Sequence, residues 1–123
     1  MDQEKLGKLI SCFPRITVAV VGDFFLDKYL DFDPVFAEIS LETGKTANQV
    51  VRIRRSPGAA GNVVSNLMAL GADKVAAIGF TGDDGEGYDL RKALNNIGCD
   101  TSGLLNVTDR FTPTYLKPQN ITV

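Results

Sequence analysis

Apolar residues fall along this chain in two alternating patterns, helical-period segments and short unbroken runs, with polar, glycine-bearing turns between them. Leu6, Leu9, Ile10 and Phe13 recur at helical spacing, so residues 2–13 are expected to form a short helix. Ile16-Thr17-Val18-Ala19-Val20-Val21 follows as a β-branched run ending at Gly22-Asp23. It reads as a strand buried on both faces, as in a parallel sheet covered by helices. Asp31-Phe32-Asp33-Pro34 breaks the pattern, and residues 35–49 are mixed and polar around a turn at Thr43-Gly44-Lys45. In Gln49–Arg55, Val51 and Ile53 fall on one face and Val50, Arg52 and Arg54 on the other, a strand with at least one wet side. Ser56-Pro57-Gly58-Ala59-Ala60-Gly61-Asn62 then leads into an amphipathic helix over 63–70 that Gly71 ends. Lys74–Phe80 is a second apolar strand, closing on Thr81-Gly82-Asp83-Asp84-Gly85. Leu90, Ala93, Leu94 and Ile97 mark a third helix, capped at its start by Asp83 or Asp84 and closed by Gly98. Strand-like stretches near 104–107 and 114–117 flank a turn at Thr108-Asp109-Arg110.

Buried strands alternating with helices predict an α/β fold, a partial doubly wound parallel sheet with a small β lid inserted after the first strand at about 31–56. Open α/β sheets bind ligands at the carboxyl ends of their strands, which places Asp23 and Asp27 at a favoured position. Asp also fills caps and turns there, and position alone leaves both roles open. The glycine-rich turn has the same ambiguity. Pro57 fixes its own φ, while Gly58 and Gly61 allow a sharp turn or a close approach. Unpaired N–H groups at the start of the following helix, with the Asn62 amide, suit a polyhydroxylated or anionic ligand. Small residues also serve simply to pack a helix closely on a sheet. Arg52, Arg54 and Arg55 could clamp an anionic substrate, or form a solvated strand edge that discourages aggregation.

Composition narrows the field. The 123 residues, 44% apolar and 23% charged, make one unit able to build a core. A net charge of −2 supplies no basic field for nucleic acid or anionic lipid. Histidine is absent, removing the commonest general base and metal ligand. Cys12 and Cys99 have no CxxC spacing and read as buried thiols in a reducing compartment, not as a metal site or disulfide framework. The charged start lacks a signal-peptide pattern, and no window reaches the roughly 20 apolar residues of a membrane span. The expected setting is cytoplasmic, where the acceptor patterns at Asn106 and Asn120 would stay unmodified.

Val20-Val21-Gly22-Asp23-Phe24-Phe25-Leu26-Asp27, Pro57-Gly58-Ala59-Ala60-Gly61-Asn62 and Thr81-Gly82-Asp83-Asp84, in this order, resemble the N-terminal part of ribokinase-like (PfkB-type) sugar kinases. Ala37–Glu42 and Arg110–Pro118 look most like the kinase domain of heptose-phosphate kinases and related bifunctional kinase/nucleotidyltransferases. The resemblance implies ATP- and Mg²⁺-dependent phosphorylation of a sugar or sugar phosphate hydroxyl. It implies that Asp27 hydrogen-bonds sugar hydroxyls, and that Gly58, Ala59 and Asn62 hold the sugar from the other side. Lys117 matches a position where related kinases place a cation near the substrate. Insert strands in such kinases cover the site and often form a homodimer contact.

Two departures stand out. Gly58-Ala59 replaces the two adjacent glycines common in the family, and the family's Gly-x-Gly-Asp turn with its catalytic Asp has no counterpart here. No catalytic residue is therefore expected in this chain, and Asp83 and Asp84 are not promoted to that role. Residues 1–123 read as the N-terminal half of a sugar kinase domain, supplying the sugar side and lid; ATP and Mg²⁺ would not bind tightly to this part. The rival readings are a non-catalytic sugar-binding module and a self-association module built on the lid strands.

Overall fold

The computed structural model describes residues 2–122. Along the chain run α1 (Gln3–Ile10), β1 (Thr17–Val21), β2 (Phe24–Phe32), β3 (Glu38–Ile39), β4 (Thr46–Ala47), β5 (Val50–Ala59), α2 (Ala60–Ala69), β6 (Lys74–Gly82), α3 (Gly85–Asn96), β7 (Asp100–Val107) and β8 (Thr114–Asn120). The strands β1, β6 and β7 form a parallel sheet in the order β1-β6-β7. A second sheet has the order β5-β2-β8, with β2 antiparallel to β5 and parallel to β8. The strands β3 and β4 make a two-residue antiparallel pair beside it in sequence.

The core lies on one side of the parallel sheet. Val20, Val75, Ala77 and Leu104 meet Val64 of α2 and Leu90 and Leu94 of α3 in one buried cluster. The alternate positions point the other way, and there Val21, Ile78 and Leu105 are 73%, 41% and 66% exposed. The run 16–21 was expected to be buried on both faces, but both helices pack on the same face and no described residue covers the other. The amphipathic pattern of α1 is equally unpartnered, since none of its residues is buried.

The second sheet differs from the insert foreseen at about 31–56. Its central strand starts at Phe24, seven residues before Asp31, and runs on to Phe32, and its far edge is β8, from the end of the chain. Asp27, Lys28 and Asp31 mask β2 as a strand because each charge breaks the apolar pattern. Each is met by a partner from another element. Pro57 and Pro118 sit within β5 and β8, which are both edge strands, the one place where a missing N–H is harmless.

Two close approaches join the sheets. A Cβ on Gly79 would lie 2.7 Å from the Gly22 carbonyl oxygen and 3.0 Å from the Phe24 ring, so glycine lets the β1–β2 turn sit against β6. At the other corner Asp84 caps α3 by accepting from the Gly87 amide at 2.7 Å, as the sequence pattern predicts. The same carboxylate accepts from the amide and hydroxyl of buried Thr112 at 2.8 and 2.6 Å, and Thr112 Oγ1 accepts from the Gly82 amide at 2.8 Å. Burial pushes the Asp84 carboxyl up, but the bonds from Thr112 and Gly87 outweigh it and hold it below its ordinary value. This knot ties the start of β8 to the parallel sheet. Asp84→Ala removes a cap and strands buried donors together, so a loss of about 2 kcal/mol is expected in urea unfolding; an unchanged midpoint would show that the knot carries no stability.

Candidate functional site

Register puts the chemistry on one face of the second sheet. From β2 it takes Phe25, Asp27, Tyr29 and Asp31; opposite them on β5 stand Gly58, Ser56, Arg54 and Arg52, and on β8 Tyr115, Lys117 and Gln119. The pattern has period two on all three strands, as side chains on one pleated face must.

Asp27 is the most enclosed charge near the strand–helix junction, with its side chain 16% exposed. Lys117 Nζ lies 2.9 Å from Asp27 Oδ1 and donates to the Tyr29 hydroxyl at 3.4 Å. The hydrogen bond to Asp27 holds the Lys117 ammonium above its ordinary pKa, against the opposing effect of burial. On the other side, a Cβ on Gly58 would stand 3.1 Å from Asp27 Oδ2. The structure therefore brings Asp27, Gly58 and Lys117 together. Phe25 and Tyr115 flank them, with ring centroids 5.4 Å apart.

Ala59 and Asn62 follow at the turn from β5 into α2. Ala59 has φ 50° and ψ −118°, and is the one non-glycine residue with positive φ among the described residues. That conformation suits glycine; a Cβ makes it costly by about 1–3 kcal/mol. Asn62 sits on the first turn of α2 with an exposed side chain. Asp23 holds this junction through its backbone, since its carbonyl accepts from the Ala60 amide at 3.0 Å. Its exposed side chain instead borders a shallow apolar hollow with Val21, Ile78 and Phe80, and is not among the contacts of Asp27.

The sequence reading missed Asp31. Its side chain is only 2% exposed, and it accepts from Arg54 Nε and Nη2 at 2.9 Å each and from Arg52 Nε at 2.9 Å. Arg54 also donates to Gln119 Oε1 at 2.6 Å and lies 4.6 Å from the Tyr29 ring centroid, with Lys117 at 4.9 Å from the same ring. Arg52 and Arg54 remain 66% and 41% exposed on the edge strand β5, as a solvated edge would be, and they take on a further role that neither reading included. They neutralise a buried carboxylate. The signal was present as the two-residue spacing Asp27-x-Tyr29-x-Asp31 facing Arg52-x-Arg54, legible only once the register is known. The hydrogen bonds from Arg54, opposed by burial and joined by Arg52, hold the Asp31 carboxyl down at about 2.

Residues 17–120 match the pfkB family of carbohydrate kinases. The chain belongs to that family. A bifunctional protein HldE from Desulfatibacillum aliphaticivorans is 39% identical over 109 residues, 85% of this chain and 21% of the relative. The corresponding HldE of Magnetococcus marinus is 41% identical over 95 residues, 77% of this chain and 19% of its own length. This pfkB-family chain therefore spans about a fifth of the length of the curated relatives it matches. The fold agrees with a carbohydrate kinase from Agrobacterium tumefaciens, with TM-score 0.62 and 21% identity over 85% of this chain and 31% of that one. It also agrees with aminoimidazole riboside kinase from Salmonella enterica, solved with aminoimidazole riboside and an ATP analogue, with TM-score 0.59 and 22% identity over 82% of this chain and 28% of that one.

Elsewhere, Cys99 is buried as foreseen, and burial pushes its thiol up, but Cys12 is only half-buried, as it follows a helix none of whose residues is buried. No helix among the described residues is long and apolar enough to cross a membrane.

Two outcomes test this geometry. The Asp31 pKa is depressed on folding, so its contribution is complete above the ordinary value of 3.8 and is lost as the pH falls towards about 2. The destabilisation caused by Asp31→Asn should accordingly be full at neutral pH and shrink across that window in acid-titrated unfolding curves; a constant difference would deny the ion-pair network. Ala59→Gly should raise stability by about 1 kcal/mol, the relieved strain exceeding the added chain entropy, and a lowered thermal midpoint would count against the positive φ.

Proposed function

We propose that this chain is the sugar-binding side of a carbohydrate kinase that phosphorylates a hydroxyl of a sugar or sugar phosphate. The observation that carries the reading is the Asp27 carboxylate, fixed between Lys117 and Gly58 immediately before the turn that presents Asn62. A carboxylate accepts hydrogen bonds from vicinal hydroxyls, and an amide can both donate and accept. Lys117 fixes the orientation of Asp27, which keeps the acceptor oxygens in place for a ligand. Phe25 and Tyr115 add an aromatic wall beside them. On this face three cations, Arg52, Arg54 and Lys117, stand against two carboxylates, Asp27 and Asp31. That balance favours a phosphate-bearing acceptor, and the resemblance to heptose-phosphate kinases together with the HldE relatives supports a heptose phosphate.

ATP with Mg²⁺ supplies the transferred phosphoryl group in this reading. Among the described residues no three His, Cys, Asp or Glu side chains gather as an ion site, and no step through the ion is assigned to this chain. The second sheet acts as the lid, shielding the hydroxyl from water while it reacts. Its other side exposes Ile53 and Leu116 at 43% and 59%, which supports a second role as a homodimer contact.

Calorimetry with a panel of sugars and sugar phosphates tests the site. Asp27→Ala or Asn62→Ala should each weaken binding by about 1–3 kcal/mol, the cost of a lost buried polar contact. The 123-residue chain with ATP should give no sugar phosphorylation. Affinities indifferent to both substitutions would remove the sugar site, and measurable turnover would overturn the assignment of catalysis to another part of the enzyme.

A further inference from the structure

The strands that carry Asp27 and Gly58 bear a second set of charges on their opposite side. Lys28 stands directly across from Arg55 in the β2–β5 register, so two cations are cross-strand neighbours, a pairing that is unfavourable by itself. Each meets a carboxylate of α3 instead. Lys28 Nζ donates to Glu86 Oε1 at 2.9 Å, and Arg55 Nε donates to Asp89 Oδ2. Glu86 and Asp89 are three residues apart and share one face of α3. The Lys28 and Asp89 side chains are 19% and 22% exposed, so both pairs are partly shielded from solvent. The pairs add to an apolar contact between α3 and the second sheet, since Phe24 and Leu26 of β2 share one buried cluster with Leu90 and Leu94 of α3.

We propose that Lys28, Arg55, Glu86 and Asp89 form a four-charge latch that sets the angle of the lid against α3 and thereby positions Asp27 over the sugar. Asp27 and Lys28 are consecutive on β2, one on each face, so any tilt of the strand moves both. Glu86 and Asp89 act through β2 and β5 and touch no substrate; they are positioning residues. The inference rests on the sugar-site reading for its purpose, but not for the latch itself.

Hydrogen–deuterium exchange and sugar calorimetry on the 123-residue chain test it, using wild type, the double variant Glu86→Gln with Asp89→Asn, and the charge exchange Lys28→Glu with Glu86→Lys. Neutralising α3 should speed exchange several-fold in β2 and β5 while β1 and β6 keep their protection, and should weaken sugar binding several-fold. Raising the salt concentration should loosen the wild-type lid in the same way but should not loosen the neutral variant, where it screens the remaining Lys28–Arg55 repulsion. The charge exchange should restore both protection and affinity. Exchange that is unaltered, or faster in both sheets alike, overturns the latch, as does a folded charge exchange without rescue. A loosened lid with unaltered affinity overturns its positioning of Asp27. If wild type binds no sugar in the panel, the sugar-site reading fails, and the exchange and salt results alone decide the latch.

Discussion

The antiparallel pairing of β2 with β5 is the constraint on which the rest of this structure depends. It sets Asp27 against Gly58, where the carboxylate occupies the space a side chain would need. Substituting Gly58 would press a methyl group against Asp27 Oδ2 while Lys117 holds the carboxylate's other oxygen, Oδ1. From that one contact the sequence runs without slack through Ala59 into α2, and the positive φ at Ala59 is the local cost of turning so soon after the strand.

Further out on the same face, polar groups substitute for a hydrophobic core. The second sheet is three strands; Phe24 and Leu26 pack one side of it into the core, while among the described residues no helix lies over the Asp27 side, where Asp31 is held by two arginines. A charge pair with one well-buried member contributes modestly to net stability, but removing one partner is expensive because the other charge is then stranded. The arrangement trades strength for definition. Tyr29, lying between Arg54 and Lys117, keeps the two cations apart and in register.

Much of this was legible beforehand. The parallel strands, both covering helices, the Asp84 cap and the glycine-rich turn announce themselves through periodicity and turn chemistry. What was hidden is instructive. Residues 24–32 form a strand whose charges disguise it, because the partners that satisfy Lys28 and Asp31 lie 58 and 21–23 residues away in sequence. The placement of β8 beside β2 was equally invisible, since a parallel neighbour is chosen by tertiary register and not by any local signal. At the candidate site, Asp27 and Lys117 were singled out separately, and only the β2–β8 alignment makes them a pair.

The uncovered side of the parallel sheet has a colloidal consequence. Val21, Ile78 and Leu105 together present hydrocarbon to water on a chain whose net charge of −2 gives copies little mutual repulsion. Concentrated solutions of this chain should therefore be sticky, with second virial coefficients that turn negative as ammonium sulfate is added. Any second surface that covers those three side chains gains the same hydrocarbon that makes the bare sheet adhesive.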